Sequence, residues 1–161
     1  MTSRAVLLCV LLSCACLVCS LRSASAVAAH GPLVVVVGLS FPADDIPYAD
    51  LRSAFGGQPV KFRGLPLIPI NHPLESRLRV LFDEVLLGLS PANVGAFWVD
   101  MRIRDQGSAP RTASTPELAI RIVAVLKGAI TYADPSSVSG NLKMLTIDGK
   151  SVSQHGYPLR R

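Results

Sequence analysis

The run Leu33-Val34-Val35-Val36-Val37 constrains this chain more than any other stretch. Four of its five residues are β-branched, which favours a strand over a helix. No polar residue alternates with them, so neither face of that strand can be left to water. Such a strand belongs inside a parallel or mixed sheet covered by helices on both sides. An α/β architecture is therefore predicted, with strands and helices interleaved along one domain.

The rest of the chain supplies those elements. Gly38 to Asp45 reads as loop, and Pro47 opens a short helix with Leu51, Ala54 and Phe55 on one face, stopped by Gly56–Gly57. A weak strand at Val60–Phe62 precedes Pro66–Ile70, where Pro69 argues for an edge or a strand end. Pro73 at the first helical position makes His72 the N-cap and Glu75 the third residue of a helix carrying Leu74, Leu78, Leu81, Phe82 and Val85 inward up to Gly88. Ser90–Pro91 starts a second helix with Val94, Phe97, Trp98 and Met101 on a core-facing stripe and Arg102 and Arg104 near its end. Thr115–Pro116–Glu117 starts a third, with Leu118, Ile122, Val125 and Leu126 facing in, ended by Lys127–Gly128. Ala129–Tyr132 and Leu142–Ile147 read as strands, Asp148–Gly149 as a hairpin turn into Ser151–Ser153, and Gly156 to Arg161 as a frayed tail.

Residues 1–26 read differently. Met1-Thr2-Ser3-Arg4 is a short basic start, Ala5 to Leu21 is apolar apart from Ser and Cys, and Ala24 and Ala26 fit the small-x-small pattern of signal-peptide cleavage. Cleavage is expected after Ala26, with Ala29 a close alternative; a retained membrane anchor and lipidation at Cys14 are the competing readings. Cys9, Cys14, Cys16 and Cys19 all lie in this leader, so a processed chain has no thiol, disulfide or cysteine nucleophile. It then divides into a flexible start over 27–32, one domain over 33–154 and a flexible tail over 155–161, with no further apolar run long enough to span a membrane. A periplasmic or secreted protein is predicted.

Charge and motifs exclude several functions. Of 16 Lys and Arg against 11 Asp and Glu, Arg4 and Arg22 fall in the leader, and the remaining excess is too small and scattered to point to nucleic acid. No dinucleotide fingerprint, phosphate loop, zinc-protease or EF-hand pattern or nucleophile elbow occurs. His30, His72 and His155 show no ligand spacing, and the pairs Asp44–Asp45 and Asp83–Glu84 are adjacent, which on a helix separates them by about 100°. Asp83 and Glu84 read as a solvated face. The residues carry no catalytic set, no metal site and no cofactor, and the chain reads as a non-enzyme.

One series is more specific. The order Leu33-Val-Val-Val-Val, Ile46-Pro-Tyr-Ala-Asp-Leu-Arg-Ser-Ala-Phe-Gly-Gly, Pro66-Leu-Ile-Pro-Ile-Asn, Glu75-Ser-Arg-Leu-Arg-Val-Leu-Phe, Ser90-Pro-Ala and Lys127-Gly-Ala-Ile-Thr-Tyr resembles the second half of the phosphate-binding subunit of bacterial phosphate ABC transporters, and more closely short exported proteins containing only that half. The resemblance spans about Leu33 to Gly149. It implies a single periplasmic-binding-protein-like lobe, a mixed sheet flanked by helices. It also implies a small oxyanion such as phosphate as ligand, in connection with ABC transport. Full-length members bind phosphate between two lobes, with an Arg shortly before a Ser-Gly-Thr set at a helix N-terminus. Matched through Phe82, the Ser is kept at Ser76, while Arg77, Leu78 and His72 replace the Gly, Thr and Arg.

Two effects compete at this helix start. Ser76, Arg77, Arg79 and the unpaired N–H groups, with His72 alongside, form a candidate anion site. Glu75 places a carboxylate in the same turn, where repulsion of an anion at 4 Å amounts to about 1–4 kcal/mol in water-like to surface-like surroundings. If the ligand is lost, Arg77 and Arg79 are simply the solvated face of a scaffold. A protein partner or self-association then replaces the missing lobe, on surface expected near Leu39–Pro42 and Tyr132–Ser137.

Overall fold

The computed structural model describes residues 31–160. The predicted leader with its cysteines, Cys14 among them, His30 and the expected cleavage positions lie outside the described residues. Strand β1 (Val34–Gly38) is buried along its whole length, as the valine run requires. It is followed by β2 (Asp45–Ile46), helix α1 (Tyr48–Phe55), the two-residue strands β3 (Lys61–Phe62) and β4 (Leu65–Pro66), and β5 (Ile68–Asn71). Helix α2 (Arg77–Phe82) runs on into a π-helical turn over Asp83–Leu87. Then come α3 (Pro91–Ile103), β6 (Arg111–Thr112), α4 (Pro116–Val125), β7 (Ala129–Ala133) and β8 (Leu142–Ile147).

Six strands form one sheet in the order β2-β8-β1-β7-β5-β6. β5, β6 and β7 are mutually parallel, whereas β1 is antiparallel to both β7 and β8. The sheet is thus mixed, with β1 near its middle. The alternation along a strand splits the valines. Val35 and Val37 face a cluster with Leu51, Phe55, Phe82, Tyr132 and Ile147, while Val34 and Val36 face Ile70, Ala119, Val123 and Ala129. Helices α1 and α2 therefore cover one face, and α4 covers the other. The cover by α4 is close: a Cβ on Gly38 would lie 2.8 Å from the Val123 carbonyl oxygen, so β1 ends on the one residue that allows the approach.

Several expectations are corrected. The helix predicted from Pro73 starts at Arg77, because His72 remains extended behind β5 and residues 73–76 make a turn closed by the Ser76 N–H on the Pro73 carbonyl at 2.9 Å. Proline disfavours helical backbone in the residue before it, and here that residue is locked into the core. Asp83, expected on a solvated face, is buried. Of the α3 stripe only Val94 is buried, and Phe97, Trp98 and Met101 are half-buried, because α3 packs outside the layer that covers the sheet. On α4 the innermost residues are Ala119 and Val123. Leu118 and Ile122 are half-buried, and Val125 is 85% exposed.

Pro69 does not mark the sheet edge. β5 lies inside, and the edge strand β6 pairs only with Ile70 and Asn71, beyond the proline. The turn at Asp148–Gly149 forms, both residues with positive φ, but closes on a single bridge from Ile147 to Lys150 with no strand over 151–153. The predicted frayed tail folds back instead. Tyr157 and Leu159 are buried, and the Leu159 carbonyl accepts from the Leu33 N–H at 3.0 Å. Among the described residues no single helix is long and apolar enough to cross a membrane.

Candidate functional site

Parallel strands carry their ligands in the crevice beyond their carboxyl ends, where the following helices present unpaired N–H groups. Here β7, β5 and β6 end together. They deliver three segments to one sheet edge: Asn71 to Arg77 leading into α2, Ala113 to Glu117 leading into α4, and Asp134 leading into a 3₁₀ turn over Pro135–Ser137. Pro73, Glu75 and Ser76 of the first segment and Ser114, Thr115 and Glu117 of the second line a shallow open depression. A recess of about 670 Å³ lies at the opposite end of β5 under the 105–111 loop and contains none of the predicted site residues.

The four predicted residues separate. Ser76 is the N-cap of α2, extended at φ −64° and ψ 128°, and its side chain makes no capping bond. Arg77 is exposed at the helix start, and its charge reaches Asp134. His72 and Arg79 go inward. The His72 ring stacks on Tyr132 at 4.4 Å, and its backbone N–H donates to the Tyr132 hydroxyl at 3.2 Å. Tyr132 in turn stacks on Phe82 at 3.7 Å. Arg79 Nε donates to Asp83 Oδ2 at 2.5 Å, with both side chains almost wholly buried. The structure thus brings Ser76 to the depression, leaves Arg77 exposed at the helix start, and turns His72 and Arg79 inward.

Burial sets the charge states. It pushes the His72 imidazole down to about 4, aided by the Arg79 charge and opposed by the Tyr132 contact, so His72 is neutral at pH 7 and brings no charge to an anion. Burial raises the Asp83 carboxyl, and the Arg79 bond opposes it. Two carboxyls at this edge are held below their ordinary range. Glu117 is lowered by its own backbone N–H and by Thr115, and Asp134 by the Ser136 hydroxyl and N–H, at 2.6 and 2.9 Å from its Oδ1.

Sequence reading missed Thr115, Asp134, Tyr132 and Asp83. Thr115 was visible as a helix start, but nothing in the sequence sets it or Asp134 beside Ser76; parallel pairing of β5 with β6 and β7 does that. Tyr132 and Asp83 become an interior polar cluster only once α2 lies across β7. The surface expected to face a missing lobe also divides. β1 and β7 are antiparallel, so Leu39–Pro42 and Asp134–Ser137 leave the sheet at opposite edges, about 16 Å apart for a five-residue strand.

A six-stranded mixed sheet with helices on both faces and an open carboxyl edge is the architecture of one periplasmic-binding-protein-like lobe. The chain shares that fold with an ABC-type phosphate transport receptor from Vibrio cholerae, at 13% identity and a TM-score of 0.61 over 80% of this chain and 53% of that one. It shares it also with a phosphate ABC transporter substrate-binding protein with bound phosphate from Clostridium perfringens (13%, TM-score 0.59, 75% and 46%) and with PstS from Borrelia burgdorferi (12%, TM-score 0.60, 81% and 54%). The chain spans about half the length of these structures. No protein-family model and no curated protein matches it.

Proposed function

We propose that this chain is an exported, non-enzymatic solute-binding-protein-like module that holds phosphate or a similar small oxyanion at its carboxyl sheet edge, in connection with ABC transport. The uncapped start of α2 carries this reading. Ser76 makes no capping bond there and lines the depression together with the start of α4. The site is reduced from the predicted four residues to Ser76 and Arg77, with His72 and Arg79 supporting the loop from behind. Glu75, Glu117 and Asp134 oppose an unprotonated anion but can accept from one that still carries a proton. A partner protein or second copy facing this edge completes the grip. The leader reading places the module in the periplasm or outside the cell.

Calorimetric titration of the purified protein with inorganic phosphate tests the assignment. A dissociation constant on the order of 1 mM is expected, as suits one open face. Sulfate, which has no proton to give the carboxylates at neutral pH, binds more weakly, and Arg77→Glu removes the heat. No heat at millimolar phosphate overturns the assignment.

A second reading, a ligand-free interaction scaffold, is favoured by α3. Val99 and Ile103, one turn apart, are 59% and 78% exposed beside half-buried Phe97 and Trp98. Silent calorimetry together with concentration-dependent association that Ile103→Lys abolishes selects this reading.

A further inference from the structure

Away from the sheet edge, the segments Arg77–Leu87 and Pro91–Ile103 meet at 63° and enclose a pocket of about 280 Å³ in their crook. Leu74, Val80, Leu89, Pro91 and Val94 make its wall mainly apolar, Gly95 and Ala92 leave room on the α3 side, and Asp83 is its one charged lining residue. Asp83 is 3% exposed. Its Oδ2 takes the Arg79 bond, while Oδ1 is buried with no hydrogen-bond partner among the described residues. A buried carboxylate oxygen without a donor is unfavourable, and carboxylates accept strongly from O–H and N–H groups. The helix also turns π-helical at Asp83, a local irregularity that recurs where side chains are aimed for function.

We propose that this crook is a second binding site, for a small neutral molecule with an apolar body and one O–H or N–H donor, the donor meeting Asp83 Oδ1. Neutrality follows from the Arg79–Asp83 pair. Its charges already balance, so an ammonium or a carboxylate would bring an uncompensated charge against a buried pair and a mainly apolar wall. The volume suits one ring or a short branched chain, below the usual range for larger ligands. The site shares no lining residue with the depression at Ser76.

Phenol and toluene distinguish a site that reads the donor from a mere apolar hole, since they match in shape and differ in one O–H. Titrated into the ¹⁵N-labelled protein, phenol is expected to shift the amides of Leu89, Ala92 and Gly95 and to bind about tenfold more tightly than toluene, the scale of one charge-assisted hydrogen bond. Gly95→Leu fills the space from α3. A Cβ there meets nothing within 4 Å, and leucine favours the helix over glycine, so the variant folds and phenol binding is lost. Toluene binding as well as phenol, no binding of either, or unchanged phenol binding in Gly95→Leu overturns the proposal.

Discussion

Helices α2 and α4 leave the same edge of the sheet after parallel strands, and their sequences begin alike: His72-Pro73-Leu74-Glu75 for one, Thr115-Pro116-Glu117 for the other. Only α4 starts where that pattern says. Thr115 Oγ1 accepts from the Leu118 N–H at 3.1 Å, Pro116 takes the first position, and the helix follows at once. At the other start the capping residue is a histidine whose ring is held against Tyr132, so it cannot turn to meet the N–H groups ahead of it. The chain spends four more residues in a turn, and the helix opens at Ser76 with no side-chain cap. A proline and a glutamate near a strand end thus start a helix only when the residue before the proline is free to cap. The delayed start is also the one left open to an external acceptor.

The largest expected effect lies behind α2. Arg79→Met strands the buried Asp83 charge and is expected to lower stability by about 3–5 kcal/mol in urea unfolding, while Arg79→Met with Asp83→Leu recovers most of that loss. An equally unstable double variant would show that the pair is needed for more than mutual compensation. α4 has no such interior pair, and no comparable loss is expected from its exposed Arg121→Met.

Next comes acid. His72 has its folded pKa depressed to about 4, below its ordinary value of 6.5, so the unfolded chain binds the extra proton first. The stability it contributes is complete above about pH 6.5 and is lost as the pH falls towards 4, by about 2–3 kcal/mol. His72→Phe, which keeps the stack on Tyr132, should flatten that part of the pH–stability curve. A wild-type curve already flat between pH 6.5 and 4 would mean that the ring is not held neutral.

The smallest effect separates the two caps directly. Thr115→Ala should cost about 1 kcal/mol, whereas Ser76→Ala, which removes no capping bond, should stay within about 0.5 kcal/mol. Equal losses would erase the contrast between the helices.

Much of the fold was legible in particular residues. The valine run located β1 and demanded two covered faces, and Leu51, Ala54 and Phe55 marked the inner face of α1. Thr115 marked the start of α4, and Asp148–Gly149 the tight turn after β8. Of the candidate residues, Ser76 and Arg77 lie at the carboxyl edge of the sheet, but Arg79, also in the first turn of α2, points the other way. Helical position alone did not reveal this, because the direction depends on where the helix begins and on which neighbour takes the charge. Moving the start from Pro73 to Arg77 changes which residues cap and which lie inside.

What the sequence determined by itself is everything governed by neighbours in the chain: β-branching, apolar period, caps and turns, whose energies act over a few residues. The tertiary structure alone decided which polar groups were drawn inside, that the 157–159 segment packs against β1, and that Ser76, Thr115 and Asp134 share one edge. The shared edge rests on pairing between strands about 40 to 60 residues apart in sequence, and the 157–159 packing on a contact from Leu33 to Leu159 across nearly the whole domain; such contacts exist only after the sheet has closed.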